Sequence, residues 1–175
     1  MSECYCSQET YNQREFDMNF LLRVAAQEDY DAVCLLLAQG DHFHAEALPQ
    51  IFRPIEGTAR SREYFERILA NENAAIIVAE LQGSLVGMIQ CDVRTAPEVP
   101  LFVPRHFVYI DNLVVSERFR QQGIGLVLVE RVHQWAREKG ITEVELGVWE
   151  FNTAARMHYE KLGYQTTRRI MSKRL

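Results

Sequence analysis

The stretch Leu113-Val114-Val115-Ser116-Glu117-Arg118-Phe119-Arg120-Gln121-Gln122-Gly123-Ile124-Gly125 reads as a strand feeding a polar loop, after which two glycines open a helix. The first-turn amides of a helix have no intrahelical acceptor and lie at the positive end of the macrodipole, so such a junction suits a phosphate or pyrophosphate. Gly123 and Gly125 lack a Cβ and let the backbone come close to an anion. A lone Gly-x-Gly is also what a tight turn into a core helix needs, so two readings stand at this point. Two nucleotide loops are excluded: the Gly-x4-Gly-Lys-Ser/Thr run is absent, and a dinucleotide fingerprint needs a small residue where Leu128 stands, with glycines directly after the strand.

Outward from this stretch, periodicity predicts the order β-α-α-β-β-β-α-β-α-β. A strand is expected over Phe20–Ala25 and a helix over Glu28–Ala38, ended by Gly40, with His42–Leu48 as a further helical piece before Pro49. Ser61 begins a second helix with Tyr64, Phe65, Ile68 and Leu69 on one side. Strands Ala74–Glu80 and Leu85–Val93 flank a hairpin turn at Gln82 and Gly83. Pro97, Pro100 and Pro104 make 95–105 a stiff loop, and a long strand follows over Phe107–Val115. The next helix, Gly123–Lys139, buries Ile124, Leu128, Val132, Trp135 and Ala136 and closes at Gly140. Strand Ile141–Val148, helix Asn152–Leu162 ended by Gly163, and a last strand Gln165–Lys173 complete the chain.

The whole has 175 residues, 47% of them apolar and 25% charged, which predicts one compact α/β domain over 20–175 preceded by a polar extension, 1–19. No apolar run approaches the roughly 18 residues of a membrane span, and the first nineteen residues do not resemble a secretory signal, so a cytoplasmic protein without membrane attachment is expected. The net charge of −5 disfavours nucleic acid as a partner. The local basic exception, Arg168, Arg169, Lys173 and Arg174, alternates with apolar residues as a solvated edge strand would. Cys34 and Cys91 read as buried free thiols, and Cys4 and Cys6 as residues of a tail rather than metal ligands. His42 and His44 do not have the i, i+4 spacing of a helical zinc site, so no metal is expected.

A second signature follows the first: Asn152-Thr153-Ala154-Ala155-Arg156-Met157-His158-Tyr159-Glu160-Lys161-Leu162-Gly163-Tyr164. Together, Arg120-x-x-Gly123-x-Gly125 and Asn152-x-x-Ala155-x-x-x-Tyr159-x-x-x-Gly163-Tyr164 resemble the GCN5-related N-acetyltransferase (GNAT) superfamily over about Phe107–Tyr164. The resemblance implies an α/β fold with a mixed, mostly antiparallel central sheet flanked by helices, and a splayed V between two central strands. It also implies acetyl-CoA as acyl donor. Arg120, Gln121, Gln122, Gly123, Ile124 and Gly125 would wrap the pyrophosphate with backbone amides. The strand Leu113, Val114 and Val115 would pair with the pantetheine arm, chiefly through the main chain of Leu113 and Val115, and hold a tetrahedral intermediate. Asn152 would hold the cofactor or cap its own helix.

Tyr159 lies seven residues beyond Asn152, two helical turns, so both can face one side. The resemblance places a Tyr there beside the cofactor sulfur, where it both contacts the cofactor and can protonate the leaving thiolate; a buried aromatic with a satisfied hydroxyl is the alternative. A base must take a proton from the attacking ammonium. Tyr109, Asp111 and Leu113 are expected on one strand face by the period of two, and Asp111 is the only carboxylate within that strand. It is the preferred base, against a purely structural Asp, with Glu150 second. The implied activity is direct transfer of an acetyl group to a primary amine of a small molecule or protein, with parts of 41–52 and the proline loop forming the acceptor side. The alternative is a noncatalytic acyl-CoA sensor. Many relatives dimerise, so a homodimer is expected.

Overall fold

The computed structural model describes residues 9–11 and 20–175. They form one six-stranded sheet in the order β1-β2-β3-β4-β5-β6, with β1 Glu9–Tyr11, β2 Phe20–Val24, β3 Ala74–Leu81, β4 Ser84–Thr95, β5 His106–Val115 and β6 Val144–Leu146. The first five strands pair antiparallel and β5 pairs with β6 in parallel, which makes the sheet mixed and mostly antiparallel as expected. Residues 9–11 of the N-terminal extension supply β1; the rest of it, with Cys4 and Cys6, lies outside the described residues.

Helices cover both faces, which explains why β3 is an almost continuous apolar run rather than an alternating one. On one face α1 (Tyr30–Ala47) and α2 (Arg62–Leu69) bury Val33, Leu36, Leu37, Phe65 and Ile68 against Ile76, Val78 and Met88. On the other, α3 (Ile124–Glu138) buries Ile124, Val127, Leu128 and Val132 against Ile77, Ile89, Val108 and Ile110, joined by Tyr159 of α4 (Thr153–Lys161). Ser61 caps α2 by accepting from the Tyr64 amide, as its position before the periodic run predicts.

Four expectations need correction. Gly40 does not end the first helix: α1 runs unbroken through it, and the two helical pieces expected there are one. A Cβ on Gly40 would stand 3.4 Å from Val114 Cγ2, so the glycine serves a close approach of α1 to β5 rather than a cap. Second, Tyr109, Asp111 and Leu113 do not share a face. Gln90 pairs with Asn112 but Cys91 with Ile110, leaving Asp111 as the extra residue of a β-bulge. Beyond it the alternation inverts, so Leu113 and Val115 join Val108 and Ile110 on the α3 face while Val114 packs with the α1 face.

Third, the strand expected over Ile141–Val148 is only three residues long. Its ladder with β5 ends at Ile110 and Leu146, and at Gly147 a Cβ would meet the Tyr109 hydroxyl at 2.8 Å. The two chains part there, and this divergence between neighbouring strands is the expected V. Finally, residues 165–175 form no strand. Their alternation is real, but a strand exists only with a ladder partner, and they have none among the described residues.

Candidate functional site

The open half of β5 presents spare main-chain groups. The amide of Ser116 donates to the Val86 carbonyl, so by alternation the amides of Asn112 and Val114 turn toward β4. Those of Leu113 and Val115 turn the other way, into the space that β6 has left. This singles out the two residues expected to pair with an extended ligand; Val114 stands between them with its side chain under α1.

At the end of β5 a single 3-10 turn, Glu117–Phe119, leads into the loop expected to bind an anion. Arg120 Nε donates to the Val115 carbonyl at 3.2 Å and Gln122 Nε2 to the Arg118 carbonyl at 3.2 Å, so both side chains are spent on bracing the loop. Gln121 has φ 62° and Gly123, the N-cap of α3, has φ 79°. Alternating hand along a chain points successive amides inward, the geometry of an anion-binding nest. The amides of Phe119, Arg120 and Val127 have backbone acceptors, whereas none is found for those of 121–126 among the described residues. Ile124 is buried and pins this helix start to the core.

Gly87 of β4 allows the approach: a Cβ there would lie 3.0 Å from Ile124 Cγ2, 3.2 Å from Leu128 Cδ1 and 3.3 Å from the Val114 carbonyl. Gly125 is approached from α4, where the His158 ring lies 3.7 Å from its would-be Cβ. His158 Nε2 is buried with no hydrogen-bond partner, and burial lowers the pKa of the ring, favouring the neutral form. Neither residue stands out in the sequence, since each matters only through a neighbour far along the chain.

Asn152 caps α4, its side-chain oxygen accepting from the Ala155 amide at 3.1 Å. Tyr159 is 9% exposed, and its hydroxyl makes no hydrogen bond among the described residues. Burial pushes its pKa up to about 12, so the phenol keeps its proton at neutral pH. Tyr164 is tied up structurally, its hydroxyl 2.7 Å from His133 Nε2.

Asp111 accepts from Arg94 at 2.6 Å, and Arg94 also donates to Asp92 at 2.9 Å while lying 3.8 Å over the Tyr109 ring. Burial raises the Asp111 carboxyl above the usual range, with the Arg94 guanidinium pulling against it. Arg94 lies seventeen residues away on the neighbouring strand, beyond the reach of local pattern. Glu150 is held by Arg156 at 2.7 Å and is largely solvated. His42 faces Glu46 at 3.1 Å, His44 Nδ1 lies 2.7 Å from the Gly40 carbonyl, and the described residues contain no cluster of metal-ligating side chains.

The end of α1 meets the segment after β6 through rings. Phe43 and His44 pack on Phe151 at 5.4 and 5.7 Å, and Phe52 packs on Trp149 at 5.3 Å. Phe43 and Trp149 keep 40% and 42% of their surface open. The sequence placed 41–52 on the acceptor side; Trp149 and Phe151, its partners across the chain divergence, went unremarked. Among the described residues no helix is long and apolar enough to cross a membrane.

A splayed parallel pair beside a glycine-opened helix with idle amides suits an extended ligand with an anionic end. Residues 42–164 match the Acetyltransferase (GNAT) family, and the chain belongs to that family of acyltransferases. It is 31% identical over 113 residues to an uncharacterised N-acetyltransferase of Archaeoglobus fulgidus, covering 62% of this chain and 75% of that one. Another archaeal relative is longer, and the aligned part covers 45% of it. The solved tetramutant of the BH1408 protein from Bacillus halodurans superposes with a TM-score of 0.83 at 26% identity, over 88% of this chain and 99% of that one. An aminoglycoside N-acetyltransferase, AAC(6')-Iy, solved in complex with CoA, shares the fold at a TM-score of 0.66 and 20% identity, over 88% and 98% of the two chains.

Proposed function

We propose that this chain transfers an acetyl group from acetyl-CoA directly to a primary amine. The observation that carries the reading is the run of amides at 121–126 without acceptors, at the mouth of the gap between β5 and β6. These amides fit a diphosphate: they are consecutive, they lie at the start of the fifteen-residue helix α3, and their loop is braced from behind by Arg120 and Gln122. When bound, acetyl-CoA supplies a thioester carbonyl open to attack and a thiolate leaving group.

The rest is done by side and main chains of this protein. Leu113 offers its outward amide and carbonyl, and Val115 its outward amide, to an extended ligand, which takes the place of the strand that β6 ceases to be. The same amides can steady negative charge that develops on a carbonyl oxygen. Tyr159 holds a proton that its burial keeps in place and gives it to the departing sulfur. Asp111 takes the proton of the attacking ammonium, directly or through water, at the point where the strands part. Burial raises its pKa, which makes it a better base than an ordinary carboxylate, while the Arg94 guanidinium pulls the other way. The open ring faces of Phe43 and Trp149 suit a cationic amine, to which aromatic faces are attractive. No metal enters these steps.

Release of free thiol from acetyl-CoA, measured across a panel of polyamines, amino sugars and peptides with Lys or N-terminal amines, tests the proposal. Turnover with at least one amine is expected. Tight CoA binding without turnover on any amine would make the protein a sensor instead.

A further inference from the structure

Gln90 is 6% exposed, and the acetyl-transfer steps leave this buried amide without a part. It stands on β4 opposite Asn112, the first residue of β5 past the bulge, just beyond the end of the β5–β6 ladder. Asn112 Nδ2 donates to Gln90 Oε1 at 3.4 Å, and Gln90 Nε2 donates to the hydroxyl of Tyr64 on α2 at 3.1 Å. The chain of bonds thus has a direction. It runs from the edge of the gap across the sheet to α2, and at its end the Tyr64 oxygen accepts, which leaves the phenolic proton free for another partner. Tyr64 is 37% exposed, so a ligand can reach it.

Tyr64 and Gln90 line a cavity between α1, α2 and the sheet, with Tyr30, Cys34 and Arg60 as its other polar walls. Tyr30 gives its proton to the Arg60 carbonyl at 2.8 Å. Arg60 spends Nη1 on Asp41, and its remaining N–H groups have no acceptor among the described residues. Asp41 follows Gly40, whose would-be Cβ stands 3.4 Å from Val114 Cγ2, so Arg60 is anchored beside the open half of β5. The cavity therefore offers donors, a phenol and a guanidinium, and no carboxylate lines it among the described residues. Such walls leave a second ammonium unpaired and suit an oxygen.

We propose that Tyr64 and Arg60 form a subsite that selects acceptors whose amine is accompanied by a hydrogen-bond-accepting oxygen, as a hydroxyl, carbonyl or carboxylate, over oxygen-free polyamines. Gln90 and Asn112 act through Tyr64 and are positioning residues: they hold its oxygen and decide which way its proton faces. The amine lies toward Asp111 at the gap and the oxygen toward α2. This inference deepens the acetyl-transfer reading and rests on it.

The test measures thiol release from acetyl-CoA by the full chain with two sets of amines. One set carries oxygen, as amino alcohols, amino sugars and peptides; the other is alkylamines and polyamines of like length. The best oxygen-bearing amine is expected to have a kcat/KM at least about tenfold above the best oxygen-free one, the worth of one such bond. Tyr64→Phe should raise the KM of that amine about tenfold, with kcat, the KM for acetyl-CoA, the rates of oxygen-free amines and circular dichroism unchanged. Gln90→Glu gives a readout that a merely structural role would not move: its carboxylate takes the Tyr64 proton, so the preference should vanish although the side chain keeps its shape. Equal or lower efficiency for the oxygen-bearing set, or a preference that survives Tyr64→Phe, overturns the subsite and leaves acetyl transfer standing. Thiol release with none of the amines overturns both.

Discussion

Replacing Gly123 by alanine tests the amide cradle against a control within the same helix. Gly123 opens α3 at φ 79° and Gly140 follows it at φ 71°, two left-handed positions of nearly equal geometry at opposite ends. A Cβ in this region costs about 1–2 kcal/mol wherever it is placed, so Gly123→Ala and Gly140→Ala should each lower the melting temperature by roughly 2–8 °C. Their effects on the reaction should differ. Relief of strain at Gly123 re-aims the amides of the following turn, and losing one aligned amide-to-phosphate bond is worth about 1.5–3 kcal/mol, or roughly ten- to a hundredfold in affinity. Steady-state kinetics with acetyl-CoA varied should thus show KM raised by that factor in Gly123→Ala and unchanged in Gly140→Ala, with kcat at saturation little altered in either. Equal stability losses with equal, native KM values would refute the claim that these amides hold the diphosphate.

Tyr159→Phe should lower kcat by about 10²- to 10⁴-fold while CoA affinity, read by calorimetry, stays near native, because only the proton donor is lost. For Asp111 the sign follows from its partners: burial raises its pKa and Arg94 lowers it, so the acid limb of the kcat/KM profile should lie above the ordinary carboxylate range and move further up in Arg94→Met. An unmoved limb in Arg94→Met would remove Asp111 from the chemistry. Asp29, which accepts from Arg23 at 2.6 and 2.9 Å and from the Ala26 amide at 2.7 Å, has its pKa lowered chiefly by the Arg23 bond. Its contribution is full above the unfolded value near 4 and is lost as pH falls through the folded one, so Asp29→Asn should cost about 2 kcal/mol at pH 7 by urea unfolding and show a flatter stability profile in acid.

What could be read from the sequence and what could not divide along the range of the interactions. The helix start at Gly123, the Asn152 cap and the hairpin at Gln82 and Gly83 were legible because glycine, cap and turn chemistry act within a few residues. The α3-side core was legible through its 3.6-residue spacing. The bulge at Asp111 was not, since an extra residue exists only relative to the register of β4, and with it went the expectation of which residues share its face. Gly40 has the spelling of a helix stop and acts as a contact with β5, a fact held by Val114 seventy-four positions later. The pairing of Arg94 with Asp111 and the meeting of Phe43 with Phe151 likewise join segments that no local period connects. The segment 165–175 shows the reverse: its strand-like pattern is plain, and what it lacks among the described residues is a ladder partner.

The unpaired aspartate of β5 sets the phase of everything downstream on that strand. Were Asp111 instead paired opposite Gln90 in a regular ladder, the residues beyond it would slip by one step against β4, handing the Leu113 and Val115 amides to β4 and leaving those of their even-numbered neighbours idle. The apolar side chains now under α3 would swap sides at the same stroke. Which peptide groups remain vacant for a guest, and which way the hydrophobic wall behind them faces, are thus one decision taken at one position.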